Sequence, residues 1–320
     1  MPHPDNANAA DARPDDALRD YDLDALDREL RETGGGEVDD SIPQLAAADP
    51  SLFGIATVGA DGDVKAAGDS RVAFSLQSAV KPFVYALALM DRGEDFVLEA
   101  VGTEPTGQAF DAIVFEAETG RPPNPMVNAA ALLTANLVNG ASVDDRTERI
   151  LSGLSKIAGR DLEIDQDVAG SERLLGDRNR ALGYLMRSAG HLDVDVDDAI
   201  AVYARACSVL VDTETLAIMG ATLAFGGRNP ITGEQTLDRE VVKETLSVMA
   251  TCGMYDGSGR WLRRVGLPAK SGVSGGLVAT APGRLGIGVY SLPLDEEGNS
   301  VRGVLACERL SDDLGLHLFG

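Results

Sequence analysis

The segment Phe74-Ser75-Leu76-Gln77-Ser78-Ala79-Val80-Lys81-Pro82 sets a serine and a lysine three positions apart at the head of an apolar, alanine-rich run, Ala79 to Met90. That run reads as a buried helix. Pro82 fits only in its first turn, where a missing backbone N–H costs nothing. Ser78 then lies at the helix N-terminus, with Lys81 on the same face. Because Ala79-Val80 and Pro82-Phe83-Val84 flank the lysine, its amine is expected to be buried. Burial disfavours the ammonium and leaves a free amine able to accept a proton. The positive end of the helix dipole would stabilise charge developing at Ser78. The ordinary alternative, a helix cap followed by a surface lysine, fits these apolar flanks badly.

Working outward, Ser51 to Ala60 is an apolar strand, Asp61-Gly62 a hairpin turn and Asp63 to Ala67 the return strand. Asp15 to Thr33 reads as an acidic helix, with Leu18, Tyr21, Leu26 and Leu30 near one face and Gly34-Gly35-Gly36 ending it. Beyond residue 82, helical patterns alternate with polar loops; Asn128 to Val138, Asp198 to Val211 and Glu214 to Ala224 are the clearest. After Lys270 the texture changes. Val273 to Ala281 and Arg284 to Leu292 are glycine-rich β-type runs around Pro282-Gly283, and a last helix runs from Ser300 to about Leu314. Strands, helices, strands, helix is the order of an α/β (α+β) protein whose antiparallel sheet is built from both chain ends, flanked by helices and interrupted by an inserted all-α domain. The sequence divides into a disordered acidic tail over residues 1–16 and a single unit over 17–320. Within that unit the sheet subdomain takes about 37–82 and 263–320, and the helical subdomain about 83–262.

Composition narrows the chemistry. Of 320 residues only three are histidines, His3, His191 and His317, and none sits in a ligand-like pair. A histidine triad or zinc site is therefore not expected, and acid–base work falls to Lys, Tyr, Asp or Glu. The three cysteines, Cys207, Cys252 and Cys307, are odd in number and irregularly spaced, which argues against a disulfide framework. The net charge of −23 opposes binding to nucleic acid or to anionic membranes. With only five lysines, it points to adaptation to high salt, where screening relieves the self-repulsion. No apolar run reaches the ~18 residues of a membrane span, and the N-terminus has neither the basic nor the apolar region of a signal peptide. A cytoplasmic location is the expectation.

A second element, Lys270-Ser271-Gly272, opens the C-terminal strands about 190 residues after the first. Together the pair resembles the S-x-x-K and K-[TS]-G elements of serine β-lactamases and penicillin-binding proteins. The segment 74–82 is also similar to the nucleophile motif of the serine-dependent glutaminases, which share a β-lactamase/transpeptidase-like fold. Further stretches match that family in order: Ile42-Pro43-Gln44-Leu45, Asn124-Pro125-Met126-Val127-Asn128-Ala129, Ser171-Glu172-Arg173, Gly176-Asp177-Arg178-Asn179, Pro230-Ile231-Thr232-Gly233-Glu234, Cys252-Gly253-Met254-Tyr255-Asp256 and Gly266 to Val273. The likeness covers roughly Glu37 to His317.

The resemblance implies hydrolysis of L-glutamine to L-glutamate and ammonia, without metal or organic cofactor, in a homo-oligomer. It implies Ser78 as nucleophile, Lys81 as general base, the backbone amides of Ser78 and Val273 as oxyanion hole, and Tyr255 as proton shuttle beside Ser78. Gln77, Asn128, Glu172, Asn179 and Tyr203 would surround the glutamine. The division is chemically sensible: Glu172 can pair with the ammonium of a free amino acid, while amide donors such as Asn128 and Asn179 can bind its carboxylate. Asp177 and Arg178 read as a structural ion pair. One departure is plain. The family usually carries Tyr-Ile-Pro where this chain has Ser41-Ile42-Pro43. Two rivals stay open, a β-lactamase or peptidase using the same motif pair, and a non-catalytic amino-acid-binding protein.

Overall fold

The structure, a computed structural model, describes residues 18, 20–108 and 113–320. The tail expected over residues 1–16 lies outside the described residues. Five strands form one antiparallel sheet in the order β2-β1-β7-β6-β5: β1 Phe53–Gly59 and β2 Val64–Gly68 come from the N-terminal half, β5 Ala269–Ser271, β6 Gly276–Ala281 and β7 Leu285–Ser291 from the C-terminal half. Both chain ends therefore build the sheet, joined where β1 pairs with β7 and Ala56 faces Gly288. Every residue of β1, β6 and β7 is buried, because helices cover both faces. Thr213–Ala224 lies against one face. It comes so close that a side-chain carbon at Gly286 would stand 2.0 Å from the Ala221 backbone nitrogen. Leu23–Arg31 and Val301–Leu314 close the other face over a core that includes Phe53, Ile55, Ile287, Val289 and Leu310. A second and larger core fills the helical region between Lys81–Arg92, Asn128–Leu137, Val143–Ala158 and Val196–Cys207.

Local rules account for most boundaries. Ser300 caps the last helix by accepting from Gly303 N through its side chain. Of the acidic helix expected over Asp15 to Thr33, residues 15–17 and 19 lie outside the described residues, and the rest is interrupted at Tyr21-Asp22 and ends at Arg31. Asp22 accepts from Ala25 N and starts a new helix at Leu23, whose Leu26 and Leu30 are buried. The helix expected over Asp198 to Val211 ends at Cys207, and Leu210–Val211 instead forms β4. β4 pairs with β3, Phe74–Ser75, placing Phe74 opposite Val211. A short β-type tail after a helix is invisible to helical periodicity, yet here it clamps the chain just before Ser78. Among the described residues no helix is long and apolar enough to cross a membrane.

Candidate active site

Ser78 does not open an α-helix directly. Gln77–Val80 is a single 3₁₀ turn that leads into the α-helix Lys81–Arg92, with Pro82 in its first turn. In a 3₁₀ turn residues i and i+3 eclipse one another. The serine and the lysine of the motif are therefore aligned more directly than α-helical geometry would align them, and the Lys81 backbone N–H donates to the Ser78 carbonyl. Gln77 enters this turn at φ 47°, and Tyr255 stands at φ 55°. These are the two non-glycine residues with positive φ among those described, and both border Ser78. Left-handed backbone at ordinary residues survives only where its surroundings hold it. Gly272 shows one part of that hold, since a side-chain carbon there would stand 2.7 Å from the Leu76 carbonyl oxygen.

The Lys81 side chain is 2% exposed. Its Nζ donates to the Met126 carbonyl at 3.0 Å and to Asn128 Oδ1 at 2.7 Å. Two acceptors match the two hydrogens of a neutral amine and leave its lone pair free, whereas an ammonium would have a third donor to place. Burial agrees, lowering the Lys81 pKa from 10.5 to about 8. Asn128 stands at the start of its helix because Val127 before it is extended. Its Oδ1 is committed to Lys81, so its part in the site is shared between lysine and cleft.

Above this floor opens a cleft of ≈ 210 Å³, lined among others by Gln77, Ser78, Asn128, Glu172, Asn179, Tyr203, Tyr255 and Val273. Eight of the nine sequence-derived site residues thus share one cavity, and the ninth, Lys81, is tied to it through the cleft-lining Asn128. The volume is below the ~300–1,000 Å³ typical of drug-sized ligand pockets, so it suits a small molecule. Glu172 comes from the helix Gln166–Leu174 and Asn179 from Asp177–Ser188 beyond a two-residue turn. Burial raises the Glu172 pKa, partly offset by a hydrogen bond from the Gln77 side chain. Tyr203, on Val196–Cys207, is raised well above its usual value by burial and hydrogen-bonds Cys207, one helical turn further on. The Tyr255 hydroxyl donates to the Ser271 carbonyl at 3.3 Å and is hydrogen-bonded with the Ser78 side chain; burial pushes its pKa up to about 12.

The glutaminase family model matches residues 36–319. The chain belongs to the glutaminase family. A glutaminase of Clavibacter michiganensis is 64% identical over 93% of this chain and 92% of its own length. A Nostoc glutaminase is 48% identical over 98% and 94%. A solved structure of the probable glutaminase ybaS superposes with a TM-score of 0.90 at 41% identity, covering 93% of this chain and 96% of that one. The glutamate form of the protein Mglu gives 0.89 at 48% identity over 92% and 68%.

Within this glutaminase fold the cleft also holds residues that the sequence reading did not single out. Cys207 was detectable, since it follows Tyr203 by four positions on one helix face. Asp39 was not, because a loop carboxylate carries no pattern, and neither was the Met126 carbonyl that accepts from Lys81 outside the cleft lining. Ser41 does line the cleft, yet its backbone N–H donates to Asp39 Oδ1 at 3.0 Å and its hydroxyl turns to the same oxygen. Asp177 pairs with Arg180 at 3.3 Å, and Arg178 lines the cleft. No cluster of three or more potential metal ligands occurs among the described residues, and the three cysteines are free and buried.

Proposed function

We propose that the cleft hydrolyses L-glutamine through an acyl-enzyme on Ser78. Neutral Lys81 takes the Ser78 hydroxyl proton as Oγ bonds to the side-chain amide carbon. The resulting oxyanion is held by the backbone N–H groups of Ser78 and Val273. That of Val273 has no protein hydrogen-bond partner among the described residues, as such a donor requires. The tetrahedral adduct collapses by breaking its C–N bond. Tyr255 relays the proton that the departing nitrogen needs, and ammonia leaves. Water, deprotonated along the same route, attacks the ester and frees L-glutamate. Glu172, its carboxylate supported by Gln77, pairs with the substrate ammonium. Asn179 and the amide NH₂ of Asn128 take the α-carboxylate, and Tyr203 walls the pocket. As part of the same reading, the fold is β-lactamase/transpeptidase-like, with the helical subdomain set into the sheet subdomain. The enzyme works as a cytoplasmic homo-oligomer without a cofactor.

The observation that carries this reading is the Lys81 amine, wholly buried, tied by two acceptors that leave one lone pair, and joined through Asn128 to a small cleft. Likeness supports the substrate, since one related structure is described as an L-glutamate-binding form of Mglu. The test is ammonia release from L-glutamine and L-asparagine beside turnover of a chromogenic β-lactam. Ready release from glutamine and much less from asparagine is expected, because one methylene fewer withdraws the amide from Ser78. Turnover of the β-lactam without glutamine would overturn it.

A further inference from the structure

Among the described residues two carboxylates line the cleft, and the chemistry above uses one of them. Glu172 takes the substrate ammonium. Asp39, on the loop before the short helix Pro43–Ala46, has no part in it. Its Oδ1 accepts from the Ser41 backbone N–H at 3.0 Å and from the Ser41 hydroxyl. Its Oδ2 meets no hydrogen-bond or ion-pair partner among the described residues. Two neutral donors thus fix this carboxylate without neutralising it, and one oxygen keeps its full acceptor capacity.

The Asp39 charge is felt across the cavity. Burial is the main reason that the Glu172 pKa is raised, and Asp39 pushes it the same way. Asp39 also adds to the rise that burial imposes on the Tyr255 hydroxyl. In the proposed mechanism Glu172 marks where the ammonium binds, and Tyr255 stands beside Ser78, where the amide is cut. A charge that reaches both residues acts on both ends of a bound amino acid.

Substrate and product differ at one of those ends. L-Glutamine carries an ammonium, an α-carboxylate and a neutral amide. L-Glutamate carries the same two charges and a second carboxylate in place of the amide. Asp39 acts alike on the charges that the two share and repels the new carboxylate of the product alone. When the two ligands are compared the shared contributions cancel, and a penalty on the acid remains. Glu172 cannot supply it, because the ammonium it pairs with neutralises its charge. Arg178 also lines the cleft, exposed to solvent, and acts in the opposite sense as a constant background.

We propose that Asp39 is a specificity-determining residue: its fixed carboxylate favours L-glutamine, whose side chain is neutral, over L-glutamate, and so weakens retention of the product. The inference rests on the reading of the cleft as a glutamine site.

The test measures KM for L-glutamine and the inhibition constant of added L-glutamate on the whole enzyme, in the wild type, Asp39→Asn and Ser41→Ala, at 0.1 M and at 1 M ionic strength. Asparagine keeps an oxygen for the two Ser41 donors and removes only the charge. At 0.1 M the ratio of the inhibition constant to KM is expected to fall about threefold to tenfold in Asp39→Asn, the size of a charge effect at a partly solvated position. Ser41→Ala retains the carboxylate and should keep the wild-type ratio. Between the two ionic strengths the Debye length shrinks from ~10 Å to ~3 Å. The wild-type ratio should therefore drop towards that of Asp39→Asn, whose own ratio should change less. This salt response needs no variant and still decides the matter if Asp39→Asn does not fold. An unchanged ratio in Asp39→Asn would overturn the proposal. So would both constants rising by one factor, which would make Asp39 a plain ammonium ligand. An equal fall in Ser41→Ala would assign the effect to the loop and overturn it too, as would a wild-type ratio indifferent to salt. If the wild type releases no ammonia from L-glutamine, the reading of the cleft fails and the proposal falls with it. If turnover is normal and only the ratio stays fixed, the proposal alone fails.

Discussion

The floor and the mouth of the cleft are built on opposite principles. At the floor, Ser78 sits on a 3₁₀ turn between a β-clamp and a buried helix, Lys81 and Lys270 are sealed from water, and glycines let backbone segments approach within contact distance. At the mouth, Ser41 is exposed, Asp39 is half-exposed, and the contacts are side chain to side chain on loops. Charge follows the same division. Two of the five lysines lie in the floor, while the outside carries the acidic excess behind a net charge of −23. A preorganised floor costs stability and supplies chemistry. A solvated mouth costs little and can vary. Substitutions should therefore act more strongly the deeper they lie.

The largest effect belongs to the floor. Ser78→Ala and Lys81→Met should each lower kcat by about a thousandfold or more, since in the proposed mechanism the two act as a unit. Lys81→Met should also raise the melting temperature, because it removes an amine that the fold holds at a pKa of about 8. Steady-state kinetics with calorimetry on the same samples checks both. A Lys81→Met enzyme that is inactive and less stable would mean that the lysine holds the fold rather than opposing it.

The pH dependence follows next. Lys81 must be neutral to accept a proton, so kcat/KM should climb with an acid limb near pH 8 and fall about tenfold per unit below it. For stability the sign is the same. The folded pKa lies below the unfolded 10.5, so between about 8 and 10.5 the unfolded chain binds more protons. The contribution of this group to stability therefore rises with pH across that window and is flat below it. A pH–rate profile of the wild type locates the limb; one centred near pH 6 would point to a carboxylate base instead.

How much of this was legible in the sequence divides along the same line. The S-x-x-K and K-S-G pair, read with its apolar flanks, named the floor, because side-chain chemistry at fixed spacing is a sequence property. The sheet built from both chain ends followed from the order of β-type and helical runs. The 3₁₀ turn, the β3–β4 clamp and the hydrogen bond from the Tyr255 hydroxyl to the Ser271 carbonyl did not. They depend on which carbonyl lies beside which donor after packing, and no residue pattern states that. The mouth was legible only as a departure, Ser41 in place of tyrosine. Its actual partner, Asp39, lies in an acidic stretch where one aspartate looks like another.

Salt should act on the outside and spare the floor. At 0.01 M salt the Debye length is ~30 Å and most surface carboxylates repel one another; at 1 M it is ~3 Å and they do not. The melting temperature is expected to rise over that range, with the acid limb near pH 8 unmoved because Lys81 is sealed from the ions. Thermal melts over a salt series check this, and a flat or falling melting temperature would remove the argument for adaptation to salt.

The smallest effect is expected at Ser41. Its hydroxyl and backbone N–H both go to Asp39 Oδ1, and the backbone donor survives any substitution except proline. Ser41→Ala should therefore be close to silent, with water replacing the hydroxyl at a cost of ~0–2 kcal/mol. Ser41→Tyr does more. Position 41 already lines the cleft, so a tyrosine there can narrow the mouth and offer a phenol hydroxyl to the bound amino acid. Because the position is exposed, water competes for that bond. Its net worth lies near the low end of the ~0.5–1.5 kcal/mol of an ordinary hydrogen bond. KM for L-glutamine should fall about threefold and kcat should stay within about twofold, since nothing at the mouth touches the Lys81 amine. Kinetics of the single variant at high salt measures this. A change in kcat of tenfold or more would show that mouth and floor are coupled, and the division between them would have to be redrawn.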